Sequence, residues 1–187
     1  MRNGHKVFDS DTHLRSTVET ITPYLEPELR ERVPQWGKVP VRVGMAGENF
    51  QPPYRHYFRF RGSKGEGWNK ESMRKLGEAA APEKAERTFQ QFMGAKFPTY
   101  GGGDFDVEGR IRDMDEEGVD VQLMIPGGIP STDDADLEME FIRAQHPYLD
   151  DFTRKYPHRL KSLIIASGLR VEESVNEIKK WGRSSWA

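Results

Sequence analysis

VEGRIRDMDEEGVDVQLMIP, residues 107–126, reads as a helix that hands over to a strand. Val107, Ile111 and Met114 recur at helical spacing over Val107–Glu117, and Gly118 suits the residue just past a helix end. The apolar run Val119–Pro126 then reads as a short strand. The same alternation extends outward in both directions. A first strand is predicted at Lys6–Asp11, with helical stretches near Thr17–Leu25 and Glu28–Arg32. Downstream, Asp136–Tyr156 carries Leu137, Phe141, Ala144, Tyr148, Leu149 and Phe152 on one face. Pro147 inside it predicts a kink or break near Gln145–His146. A third strand is predicted at Leu160–Ala166, and a last helix at Val171–Trp181 with Val171, Val175 and Ile178 aligned. Strands that alternate with helices imply a parallel α/β fold with right-handed crossovers.

Pro27–Phe105 breaks that rhythm. It holds most of the glycine and proline, including Gln51-Pro52-Pro53 and Gly101-Gly102-Gly103, with a modest helix predicted at Pro82–Met93. An excursion of this length between βα units is usually a cap over a site. The chain therefore divides into a first βα element (1–26), an insertion or cap (27–105), and second and third βα units (106–187). A closed (β/α)8 barrel needs about 250 residues, and outside the insertion there is room for about three βα units at ~30 residues each. Residues 181–187 stand where a further strand is expected. The fold expectation is the N-terminal part of a TIM barrel, incomplete on this chain, with an open sheet edge that favours association.

Composition narrows the function classes. Among 187 residues the formal charge is −2, so no global field favours nucleic acid or an anionic membrane. No cysteine is present, which removes disulfides, thiolate catalysis and Cys-type zinc sites and favours a cytoplasmic setting. No run approaches the roughly 18 apolar residues of a membrane span, and MRNGHKVF lacks a signal core. A mean hydropathy of −0.79 is polar for a self-sufficient domain, which is consistent with burial against something else.

The chemistry sits in KVFDSDTH, residues 6–13. In an extended chain residues two apart share a face, so Asp11 and His13 project side by side. A carboxylate and a neutral imidazole suit Zn²⁺, and also Mn²⁺ or Fe²⁺. A lone Asp-x-His arises often by chance, and these two supply only half of a metal site.

Several stretches together resemble the amidohydrolase superfamily, in its amidohydrolase-related branch of metal-dependent hydrolases and decarboxylases. They are VFDSDTHL (7–14), PYLEPELRERVP (23–34), GRIRDMDEEGVDVQLMIPG (109–127) and FIRAQHPYLDDFTRKYPHRLKSLIIAS (141–167). The resemblance implies a (β/α)8 barrel whose first strand gives an Asp-x-His pair, here Asp11 and His13, to one divalent metal. It places the remaining ligands and acid/base groups on later strands. The implied reaction is hydrolysis or non-oxidative decarboxylation of a small, acidic organic substrate, and these residues do not separate the two. A non-catalytic subunit or fragment that completes a barrel with another polypeptide is the alternative. An unstable truncated product is a third.

Other residues take smaller parts. Tyr54–Arg61 interleaves aromatics with cations, and Arg55 and His56 are substrate-contact candidates because a guanidinium clamps a carboxylate. A packing strand or subunit interface is the stronger reading of that segment. Asp9, on the same strand face as the pair, reads as a capping or orienting group. His5 is expected at the far end or exposed. His146, at a position where relatives carry asparagine, and His158 are expected on the outer ring, exposed or capping. Asp113, Asp115, Glu116 and Glu117 read as a solvated face, with Arg110 and Arg112 pairing among them at small gain. Asp133, Asp134 and Asp136 read as a cap on the following helix. Pro126–Pro130 is expected to line the pocket with backbone.

Overall fold

A computed structural model describes residues 3–33, 106–127 and 134–187, and the backbone of 37–40 and 56–59. The order is β1 (Phe8–Arg15), α1 (Val18–Ile21), a 3-10 turn (Thr22–Tyr24), α2 (Pro27–Arg32), β2 (Gly37–Pro40), β3 (His56–Arg59), α3 (Val107–Glu117), β4 (Val121–Gly127), α4 (Ala135–Thr153), β5 (Leu160–Ser162) and α5 (Val171–Trp181). Strands β1, β4 and β5 form a parallel sheet in chain order. The chain is thus a mixed α/β protein with a small three-stranded parallel sheet. β2 and β3 form a separate antiparallel pair within the segment read as an insertion, with Pro40 opposite His56. The helix expected at 82–93 lies outside the described residues.

One apolar core joins sheet and helices. Leu14 of β1, Met124 of β4 and Leu160 of β5 meet Val18, Ile21, Leu25, Leu29, Ile111, Met114, Phe141 and Leu149. The sequence builds this with conventional devices. Thr17 caps α1 in a reciprocal box with Thr20, and Asp106 caps α3. Gly118 closes α3 at φ +73°, a left-handed backbone that costs glycine little. Asp134 Oδ1 accepts from the N–H groups of Asp136 and Leu137 to start α4, as the capping reading of that acidic cluster requires.

Four expectations are corrected. β1 runs to Arg15 rather than ending at Asp11, so the Asp-x-His pair lies inside the strand. Of the kink or break expected at Pro147 the break does not occur: α4 runs through it, and its buried face continues on both sides from Phe141 to Phe152. β5 stops at Ser162, four residues short, because the amides beyond it turn to side chains: Ile165 donates to His146 and Ser167 to Ser174. His146 is fully buried rather than on an exposed outer face. Its Nδ1 lies 2.7 Å from Glu177 Oε2 of α5, its Nε2 accepts the Ile165 N–H at 3.1 Å, and Trp186 stacks on it.

The segment after α5 returns to the sheet. Ser162 N–H donates to the Trp186 carbonyl at 2.8 Å, and Trp186, fully buried, donates through Nε1 to Asp150 at 3.1 Å. Residues 186–187 therefore lie along the free side of β5. Among the described residues no helix is long and apolar enough to cross a membrane.

Candidate metal centre

β1 carries an irregularity that sets the site. Register runs Phe8–Val121 and Asp9–Gln122, then slips so that Thr12 pairs with Met124 and His13 with Ile125. Ser10 and Asp11 together oppose Leu123, a β-bulge. Asp9 makes it: its Oδ1 accepts the Asp11 N–H at 3.1 Å, bending the chain over two residues, while Oδ2 accepts from Gln122 Nε2 at 3.2 Å. Both Asp9 oxygens are thereby engaged, and the group orients backbone.

The bulge also corrects Asp9's face. Asp9 and Thr12, three residues apart, both pair with the helix-side residues of β4, Gln122 and Met124, which are buried. Asp11 and His13 alternate with Thr12 and take the opposite face, where both are exposed. On that face β4 presents Val121, Leu123 and Ile125, all partly exposed, while Phe8 is 58 % and Leu163 43 % exposed. The described helices pack into the core on the other side. The pair thus sits at the middle of β1, on a sheet face that no described helix covers.

Behind the pair lies a buried cation. Arg110 of α3, expected in a solvated charge run, is 6 % exposed and is not part of that run. Its Nη1 donates to Thr12 Oγ1 at 3.2 Å and to Gln122 Oε1 at 3.1 Å, and its Nη2 donates to the His13 carbonyl at 2.8 Å. Helical spacing places Arg110 beside Ile111 and Met114 on the inward side of α3, a signal outweighed by its charge. Glu117, the last residue of α3, is half-buried. Burial, with the charges of Asp113 and Asp9 nearby, raises its carboxyl above the usual range. Asp115 and Glu116 are exposed as expected, and so are His5 and His158.

The donor set fits a divalent cation in kind, one carboxylate and one imidazole, but not in number. Among the described residues no group of three or more His, Cys, Asp or Glu side chains is placed to hold a metal. A cleft of about 680 Å³ lies elsewhere, lined by Glu26, Glu28, Arg32, Asp134, Asp136 and Glu140 of α2 and α4 and their flanks. Arg55 lies outside the described residues, and of His56 the backbone alone is described, at the start of β3. The segment 128–130, expected to line the pocket, is also outside them. No protein-family model and no curated protein matches this sequence.

Proposed function

We propose that the chain supplies the opening part of a metal-dependent hydrolase or non-oxidative decarboxylase of the amidohydrolase-related type, acting on a small acidic organic substrate. One observation carries this reading: Asp11 and His13 share an exposed face at the middle of β1. From there β1 runs on through Leu14 and Arg15 to the C-terminal end of the parallel sheet, the end at which β/α enzymes assemble their sites. A divalent cation held there, zinc first and manganese or iron next, supplies Lewis acidity to a carbonyl, a carboxylate or water. Asp11 enters as a carboxylate and His13 as a neutral imidazole. Arg55 and His56 remain the proposed contacts to a substrate carboxylate.

The finer fold belongs to the same proposal: an arc of a (β/α)8 barrel. Its support is the chain-order parallel strands with helices on one face, and residues 186–187 lying where a fourth strand would pair. Parallel sheets are almost always covered on both faces, so polypeptide beyond the described residues, in an oligomer or a second chain among the candidates, covers this face and adds ligands to the two that the described residues supply. No nucleic-acid or membrane partner enters this reading, whose setting is the cytoplasm. The test is metal content of the purified protein. One equivalent in the wild type, lost in both Asp11→Ala and His13→Ala, is expected; undiminished metal in both variants ends the proposal.

A second reading, a non-catalytic subunit that keeps the pair as a relic, is favoured by the two-donor count among the described residues. Turnover by the protein without a partner would eliminate it.

A further inference from the structure

We infer that Arg110 and Gln122 are positioning residues for the Asp11–His13 pair, acting through the Asp9 carboxylate and the His13 carbonyl. The inference rests on the metal reading above and adds to it the residues that hold the ligands in place. Asp11 lies in the bulge and His13 just beyond it, both exposed, and a bulge is where a strand re-aims its side chains. Here each ligand is tied from behind. On His13 the tie is direct, from Arg110 Nη2 to its carbonyl at 2.8 Å. On Asp11 it runs in three links: Arg110 Nη1 to Gln122 Oε1 at 3.1 Å, Gln122 Nε2 to Asp9 Oδ2 at 3.2 Å, and Asp9 Oδ1 from the Asp11 N–H at 3.1 Å.

The order of donors and acceptors makes the chain directional. Gln122 is the one group in it that must accept on one side and donate on the other, which its amide does through Oε1 and Nε2. Arg110 donates at every contact, so its planar fork fixes β1 and β4 to each other and to α3 at the level of the site. Both residues are buried, at 6 % and 7 % exposure, and the Arg110–Gln122 link between them is shielded from water, while the Asp9–Asp11 link is exposed. Groups of this kind orient metal ligands, and their loss typically costs about 10–100-fold in metal affinity. The plainer possibility is that Arg110 and Gln122 lash α3 to the sheet and do nothing else.

One substitution separates the two roles. Gln122→Glu keeps the acceptor for Arg110, and adds a charge pair, so the lashing is retained. It sets a carboxylate against Asp9, and the link to Asp11 is broken. Adding Asp9→Asn reverses the polarity of the broken contact: the new amide donates to the new carboxylate and still accepts the Asp11 N–H. With zinc as the probe, Gln122→Glu is expected to weaken binding about tenfold or more at an almost unchanged melting temperature, and the double variant to recover it. In the metal-free protein, hydrogen exchange at the Asp11 amide should speed up about tenfold in the single variant and return in the double. Wild-type zinc affinity and unchanged Asp11 exchange in Gln122→Glu would overturn the inference, as would failure of the double variant to recover. A wild-type protein that binds no zinc, yet shows the exchange pattern, would overturn the metal reading and leave the positioning role standing.

Discussion

Replacing His146 by phenylalanine isolates what the buried polar node contributes. The ring volume and the stack against Trp186 survive, while both hydrogen bonds go. The Ile165 N–H then has no acceptor, and Glu177 Oε2 keeps only the Trp181 Nε1–H at 3.0 Å. Stranding a buried donor costs about 1–3 kcal/mol, and losing a hydrogen bond to a charged group costs about 1.5–3. Some of this is offset by the greater apolarity of phenylalanine, so the expected loss is about 3 kcal/mol. At about 2–4 °C per kcal/mol for a chain of this length, the melting temperature falls about 6–12 °C. Urea unfolding at pH 7.5, followed by tryptophan fluorescence, reads this directly because Trp181 and Trp186 both flank the ring. A loss below about 1 kcal/mol would refute the reasoning. The pH dependence adds a second check. Burial holds the His146 imidazole below its usual pKa, against the pull of Glu177. The unfolded chain therefore takes up the proton first, at about pH 6.5. Wild-type stability falls as pH drops below that value toward the depressed folded pKa, and the His146→Phe variant lacks this contribution. The gap between the two proteins must narrow on acidification; a gap that widens would mean the folded state favours the charged ring.

Trp186→Ala empties a fully buried indole site beside β5 and removes one hydrogen bond from Asp150, which keeps Arg154, and is expected to destabilise by about 3–5 kcal/mol in denaturant titration. Gly118→Ala forces a side chain onto a left-handed backbone; because the added Cβ meets no atom within 4 Å, the loss is conformational alone, about 1 kcal/mol. Asp134→Ala removes both cap bonds at the start of α4 and should cost about 1 kcal/mol, visible as faster amide exchange at Asp136 and Leu137.

What the sequence disclosed, and what it hid, follows from where each signal lives. Val107–Glu117 appears as α3 with its Gly118 stop because apolar spacing and a left-handed terminus are local properties. The pairing of Asp11 with His13 on one face also survives, since the alternation of residues 11–13 is local. The bulge was not legible: regular alternation puts Asp9 beside the pair, and only the contact with Gln122, 113 residues away, turns it to the other face. Arg110 and His146 were misplaced for one reason. Both are polar residues that look solvated on a helix read alone, and both are buried because distant partners satisfy them: Gln122 and the His13 carbonyl for one, Glu177 and the Ile165 amide for the other. Strand β5 was overextended because Leu163, Ile164 and Ile165 have strand-like chemistry, whereas the Ile165 and Ser167 amides bond to side chains. Tertiary partners, absent from any local window, decide such positions.

The most direct measurement is a zinc-edge anomalous difference map from crystals of the protein grown with zinc. The account predicts a peak within about 2.0–2.2 Å of an Asp11 carboxylate oxygen and an His13 ring nitrogen. A map with no peak there, or with zinc bound elsewhere and the two side chains pointing apart, would contradict it.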